Sequence, residues 1–167
     1  LRGGVHFLLE VDMEAVISTS IDRYYNELRT LLRKDKLYKK IRKEDNLLVA
    51  SFKTEEQKDK AKKLIKSDVS DLIIVEGSES ELEVSLEMSS NAQKIAKSSA
   101  LKQNITTLRN RVNELGVAEP IIQQQGSERI VVQLPGVQDT ARAKEILGAV
   151  ATVEFRLVDE KNDVQTA

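Results

Sequence analysis

The sequence predicts an α+β chain, two split βαβ units in tandem, with antiparallel sheets and helices packed on one face of each. Three observations predict it. Strand-like alternation of apolar and polar residues is interleaved with helical stripes in which apolar residues recur at spacings of three and four. The elements read strand, helix, strand, strand, helix, strand over residues 5–76, and the same order recurs over 81–158. Residues that favour turns and helix caps stand at the joints between them.

The first strand follows Gly3-Gly4: Val5, Phe7, Leu9 and Val11 alternate with His6, Leu8 and Glu10, and Asp12 closes it. From Met13 to about Lys34, Ile17, Ile21, Tyr24, Leu28 and Leu31 fall on one helical face. Two strands at about 37–42 and 47–52 form a hairpin across a polar turn, Lys43-Glu44-Asp45-Asn46. Thr54 begins the next helix, with Gln57 three residues on as its capping-box partner. That helix runs to about Lys66 with a thin stripe of Ala61, Leu64 and Ile65, and Lys58, Lys60, Lys62, Lys63 and Lys66 read as a solvated face.

Residues 72–75 read as a buried strand and 77–80 as a turn. Leu82, Val84, Leu86 and Met88 then alternate with polar residues in a half-exposed strand. Ser89 or Ser90 caps a long helix whose stripe is Leu101, Ile105, Leu108, Val112 and Leu115, and Gly116 ends it. Pro120 forbids its continuation. Ile121-Ile122 and Ile130-Val131-Val132 are strands joined across Gln125-Gly126-Ser127, and Pro135-Gly136 is a turn. Asp139 or Thr140 caps a short helix through Leu147. Val153, Phe155 and Leu157 form a last strand, and the polar residues 159–167 read as a frayed tail. This order is that of the ferredoxin-like unit, occurring twice, with domains expected at 1–88 and 89–158.

Composition narrows the chemistry. The 167 residues, 40% hydrophobic, suffice for one compact domain or two small ones. Lys+Arg number 26 against 27 Asp+Glu, so net charge gives no argument for nucleic acid or an anionic surface. Without Cys and with one His, thiol catalysis and Cys- or His-rich metal sites are excluded. No apolar run approaches the ~18 residues of a bilayer span. The chain begins at Leu1 rather than Met, without a basic-then-apolar leader, so it is expected to be a piece of a longer protein.

No candidate catalytic group finds partners in the sequence. His6 points away from the apolar side of its strand and reads as a surface or packing residue. Glu10 and Asp12, two apart on one strand, lie on one side, so a paired-carboxylate site is geometrically possible there, though the strand-end position and the absence of metal partners make it weak. Gly3-Gly4 precedes a strand rather than a helix, so it is not a phosphate-cradling turn. Arg109 and Arg111 diverge around a helix and form no phosphate clamp; Arg109 is within reach of Asn113 one turn on. The split βαβ order also describes RNA-recognition modules, but residues 46–52 and 129–134 offer no aromatic stacking platform.

Certain segments, taken together and in order, resemble a known family. They are Leu1-Arg2-Gly3-Gly4-Val5-His6-Phe7-Leu8-Leu9-Glu10-Val11-Asp12, and Leu108-Arg109-Asn110-Arg111-Val112-Asn113-Glu114-Leu115-Gly116-Val117-Ala118-Glu119-Pro120. To these are added Arg129-Ile130-Val131-Val132-Gln133-Leu134-Pro135-Gly136, the following Val137 to Gly148, and Ala151-Thr152-Val153-Glu154-Phe155-Arg156. They resemble the first periplasmic region of the SecD family of bacterial protein-export membrane subunits, in its long form.

The resemblance implies a non-enzymatic, cofactor-free base module facing the periplasm from the inner membrane, tethered through flanking spans and followed by a mobile head. It implies SecF and SecYEG as partners and unfolded preprotein as client, with no nucleic acid. The subunit would use the proton gradient to assist late translocation and release. Arg2, Gly3, Gly4, Arg109, Arg111, Gly116, Glu119, Pro120, Pro135 and Gly136 are then family-signature residues, read as structural. The weakly matching middle leaves two arrangements open for strand 5–11: in the first unit, or in the second sheet with about 14–88 as an inserted subdomain. The rival functional reading is a generic ferredoxin-like domain for ligand sensing or partner docking.

Overall fold

The structure, a computed structural model, describes residues 3–75, 80–114 and 116–148. The expected last strand at Val153, Phe155 and Leu157, the residue Arg2 and the turn at Gly77 lie outside the described residues. The elements are β1 (Gly4–Glu10), α1 (Met13–Lys34), β2 (Lys40–Glu44), β3 (Leu47–Ser51), α2 (Glu55–Asp68), β4 (Leu72–Val75), β5 (Glu83–Met88), α3 (Ser90–Glu114), β6 (Ile121–Gln125), β7 (Arg129–Pro135) and α4 (Thr140–Gly148).

The α+β class holds, with two antiparallel sheets and packed helices. One sheet has the order β1-β7-β6 and the other β2-β3-β5-β4. Strand membership departs from the plain tandem order. β1 pairs with β7 in a register running from Gly4 opposite Pro135 to Glu10 opposite Arg129. β5, first in the second run of the repeat, lies instead between β3 and β4. Its inward residues Val84, Leu86 and Met88 belong to the core beneath that sheet, and strands close in sequence pair most readily.

Local chemistry sets the helix ends. Asp12 Oδ1 accepts from the Ala15 amide at 2.9 Å, Ser89 Oγ from Ala92 at 3.1 Å and Asp139 Oδ1 from Arg142 at 2.9 Å, each satisfying an amide of the first turn. Thr54 Oγ1 accepts from Gln57, while the Gln57 side chain accepts from the Lys53 amide, one residue before the expected box partner. In the hairpin, Lys43 and Glu44 belong to the ladder and the turn is just Asp45-Asn46, with Asp45 left-handed at φ 49°. In α1 the stripe ends on Leu32, fully buried, with Leu31 partly buried against the same core.

The first core joins α1 and α2 to the four-stranded sheet through Ile21, Leu28, Leu32, Leu48, Ile65 and Leu86. The second joins α3 and α4 to the three-stranded sheet through Leu101, Leu108, Val112, Ile130, Val132 and Leu134. α3 belongs to both. Ala92 and Ala96 enter the first core, while Leu101, Ile105, Leu108 and Val112 enter the second. At about 100° per residue these two stripes lie about 170° apart around the helix. The 25-residue helix, about 37 Å long, is therefore packed on opposite faces at its two ends.

Candidate functional site

The sequence-predicted signature residues gather at three joints of the three-stranded sheet, not around a cavity. At one end of that sheet Gly4 faces Pro135, and the Gly136 amide donates to the Gly3 carbonyl at 2.8 Å. A Cβ on Gly4 would stand 3.0 Å from the Leu134 carbonyl oxygen and 3.2 Å from Pro135 Cα, so the missing side chain lets the two strands close together. At the second joint Gly116, left-handed at φ 66°, turns the chain out of α3 and bonds back to the Asn113 carbonyl. Glu119 repeats a positive φ of 53° just before Pro120, where the chain enters β6.

The third joint is made by arginines. Arg109 Nη2 donates to the Ile122 carbonyl of β6 at 3.4 Å rather than to Asn113, which its spacing put within reach. Arg111 Nη1 donates to the Leu147 carbonyl of α4 at 2.7 Å. The two arginines diverge, as expected, and each ties α3 to a different neighbour.

The carboxylate pair is not assembled. Asp12 is spent on capping α1, while Glu10 stands at the end of β1 opposite Arg129. Both border a cleft of about 700 Å³ between the two sheets, whose rim also carries Glu14, Glu87, Glu128 and Lys97. Among the described residues no three His, Cys, Asp or Glu side chains converge as a metal site would require. His6 lies opposite Gln133 on the face of the sheet away from the helices. The outward residues of the central strands β3 and β7 include Val49 and Val131, with no aromatic ring among them.

Sequence reasoning missed three polar contacts. The Arg42 guanidinium bridges from β2 across β3 to both carboxylate oxygens of Glu83 on β5, at 2.7 and 3.0 Å. This strap crosses the open face of the sheet, where Val49 is only 2% exposed. It holds the Glu83 carboxyl below the usual glutamate range and raises the guanidinium further. The Tyr24 hydroxyl donates to Asp71 Oδ2 at 2.8 Å, and burial, together with this bond, pushes the phenol up. Lys58, expected in solvent, is 8% exposed: it shares the stripe of Ala61 and Ile65, pairs with Glu55 and donates to the Glu81 carbonyl at 2.6 Å. The 58, 61, 65 spacing was the signal for it. Contacts between residues some forty apart carried none.

Comparison with known proteins places these joints in a family context. The family described as "Protein translocase subunit SecDF, P1 domain, N-terminal" matches residues 101–160. The chain is 46% identical over 170 residues to the protein translocase subunit SecD of Pseudomonas aeruginosa, covering 100% of this chain and 27% of that protein. It is 47% identical over 169 residues to SecD of Escherichia coli K12, again covering 100% of the chain and 27% of the relative. SecD of Rickettsia bellii is 33% identical over 168 residues, covering 100% of the chain and 32% of the relative. The chain thus spans about a quarter to a third of the length of these relatives. No solved structure matches. No helix among the described residues is long and apolar enough to cross a membrane.

Proposed function

The chain belongs to the SecD family of protein translocase subunits and carries its P1-domain region, and from that premise we propose that it is the base module of the subunit, a rigid lever in protein export. It catalyses no reaction. In this reading it faces the periplasm, is held to the inner membrane by flanking spans, and passes movements of those spans to a mobile head. It thereby assists proton-gradient-driven late translocation and release of unfolded preproteins, with SecF and SecYEG as partners.

The observation that carries the reading is the sharing of α3. One continuous helix is locked into two cores on opposite faces, so the sheets cannot move independently without repacking a close-packed interior. The signature residues support it as a framework. Gly3, Gly4, Pro135 and Gly136 close one end of the three-stranded sheet, while Arg109 and Arg111 fasten α3 to β6 and α4. We divide the chain accordingly: strand 5–11 joins the unit 89–158, and about 14–88 is an inserted subdomain with its own sheet. The pairing of β1 with β7 supports this division.

The test softens α3 between its two cores. Ser98 and Ser99 are exposed there. Changing both to Gly lowers helix propensity by about 0.5 kcal/mol per site, whereas Ser98→Pro costs about 3 kcal/mol and interrupts the helix. In the full-length subunit both variants should stay folded by circular dichroism, the proline variant least stably. Late export of a reporter should slow in the order wild type, diglycine, proline. Normal export in a folded proline variant would refute the lever.

A further inference from the structure

Among the described residues the four-stranded sheet has two edges, β2 and β4, and they differ in kind. β2 carries Lys40, Arg42, Lys43 and Glu44, the charged guard that keeps other strands from pairing. β4 is Leu72-Ile73-Ile74-Val75, four apolar residues without charge, Gly or Pro, and Ile73 is 44% exposed.

Its backbone is poised as well. The Ser89 amide donates to the Asp71 carbonyl at 2.8 Å, which makes these two a hydrogen-bonded pair in the β4–β5 register. Antiparallel pairs alternate, so Ile73 with Glu87 and Val75 with Ser85 are the next bonded pairs, and the backbone groups of Leu72 and Ile74 point away from β5. The Leu72 amide is spent on the Val69 carbonyl at 3.0 Å. That leaves the Ile74 amide and the carbonyls of Leu72 and Ile74 directed to a side where no strand lies among the described residues.

Beside this edge runs a groove of about 430 Å³ between β4 and α2, bordered by Lys62 and Lys66 one helical turn apart. Lys58 and Lys60 pair with Glu55 and Glu56, but among the described residues Lys62 and Lys66 form no ion pair. We propose that this edge and groove dock an extended acidic segment of a separate polypeptide, which adds to the sheet as a fifth strand beside β4. Main-chain bonds to Leu72 and Ile74 supply the attachment, and alternate carboxylates turned toward α2 meet Lys62 and Lys66. A second copy of this chain fits less well. A symmetric β4–β4 pairing would bring both α2 helices onto one sheet face with their lysines opposed. Resting on the function proposed above, the docked polypeptide is the unfolded chain in transit.

The docking is tested on the 167-residue chain with two nine-residue peptides, alternating Val with Glu or Val with Lys. Hydrogen exchange at the Ile74 amide should slow by about tenfold or more with the acidic peptide and stay unchanged with the basic one. Lys62→Glu with Lys66→Glu, on the helix surface, should reverse that preference without altering the fold. No protection from either peptide, equal protection from both, or an unreversed preference in the double variant would overturn the proposal. So would Ile74 protection without peptide in a chain that sediments as a dimer. In the full-length subunit, a photocrosslinker in place of Ile73 should capture an exported chain halted midway. Peptide docking without such capture would overturn the assignment to the chain in transit while leaving the lever reading standing on its own test.

Discussion

Leu28→Ala asks whether the two cores fold as one. Leu28 is fully buried in the first core, beneath the four-stranded sheet and far in sequence from the second core. Removing its branched end forfeits about 0.8 kcal/mol of transfer energy per carbon, and the cavity left behind brings the expected loss to about 3–5 kcal/mol. For a chain of this size each kcal/mol lowers Tm by about 2–4 °C, so the midpoint should fall by about 6–20 °C. The decisive readout is hydrogen exchange at Val132 and Leu134, central in the other sheet. Because α3 is locked into both cores, their amides should lose protection with those of Leu48 and Leu86, by about a hundredfold or more. A first core that weakens while Val132 and Leu134 keep their protection would refute the coupling through α3.

Three further outcomes follow from the geometry. Gly4→Ala should cost about 1–3 kcal/mol in chemical denaturation, because its Cβ meets backbone at 3.0 Å, whereas Gly3→Ala, with nothing within 4 Å, should be near neutral. Since Arg42 lowers the Glu83 carboxyl in the folded state, the stability this pair adds is present above the ordinary glutamate value of about 4.3 and disappears as pH falls through the folded value. Wild type and Glu83→Gln should therefore differ in Tm at neutral pH and converge in acid; a constant gap would contradict the ion pair. Lys58→Met keeps the buried stem but removes the donor to the Glu81 carbonyl, so it should destabilise by about 1 kcal/mol, while Lys63→Met, at an exposed position, should not.

Much of the fold was legible because helix ends and stripes are local. Thr54 caps the helix it was expected to begin, Ser89 and Asp139 prove to be the capping members of the pairs the sequence offered, and Gly116 stops α3. α3 was half legible. The leucines and valine of its second stripe stand out in the sequence, but its first stripe is Ala92 and Ala96, and alanine is a weak apolar signal in an otherwise polar run. The candidate site was less legible still. The pairing of Glu10 with Asp12 followed from strand spacing, yet Asp12 lies beyond the strand and caps a helix.

For the described residues, the sequence by itself determined which segments are helices and which are strands: periodicity and caps depend on residues no more than four apart, and the family signatures lie in contiguous runs. Only the tertiary structure decided which strands meet. Alternation says which face of a strand is buried but not against whom, so β1 could find β7, more than a hundred residues on, only through the packing of the second core. The same holds for the strap from Arg42 to Glu83 and for the unguarded edge of β4. An edge is defined by the neighbour a strand lacks, and that is a property of the assembled sheet.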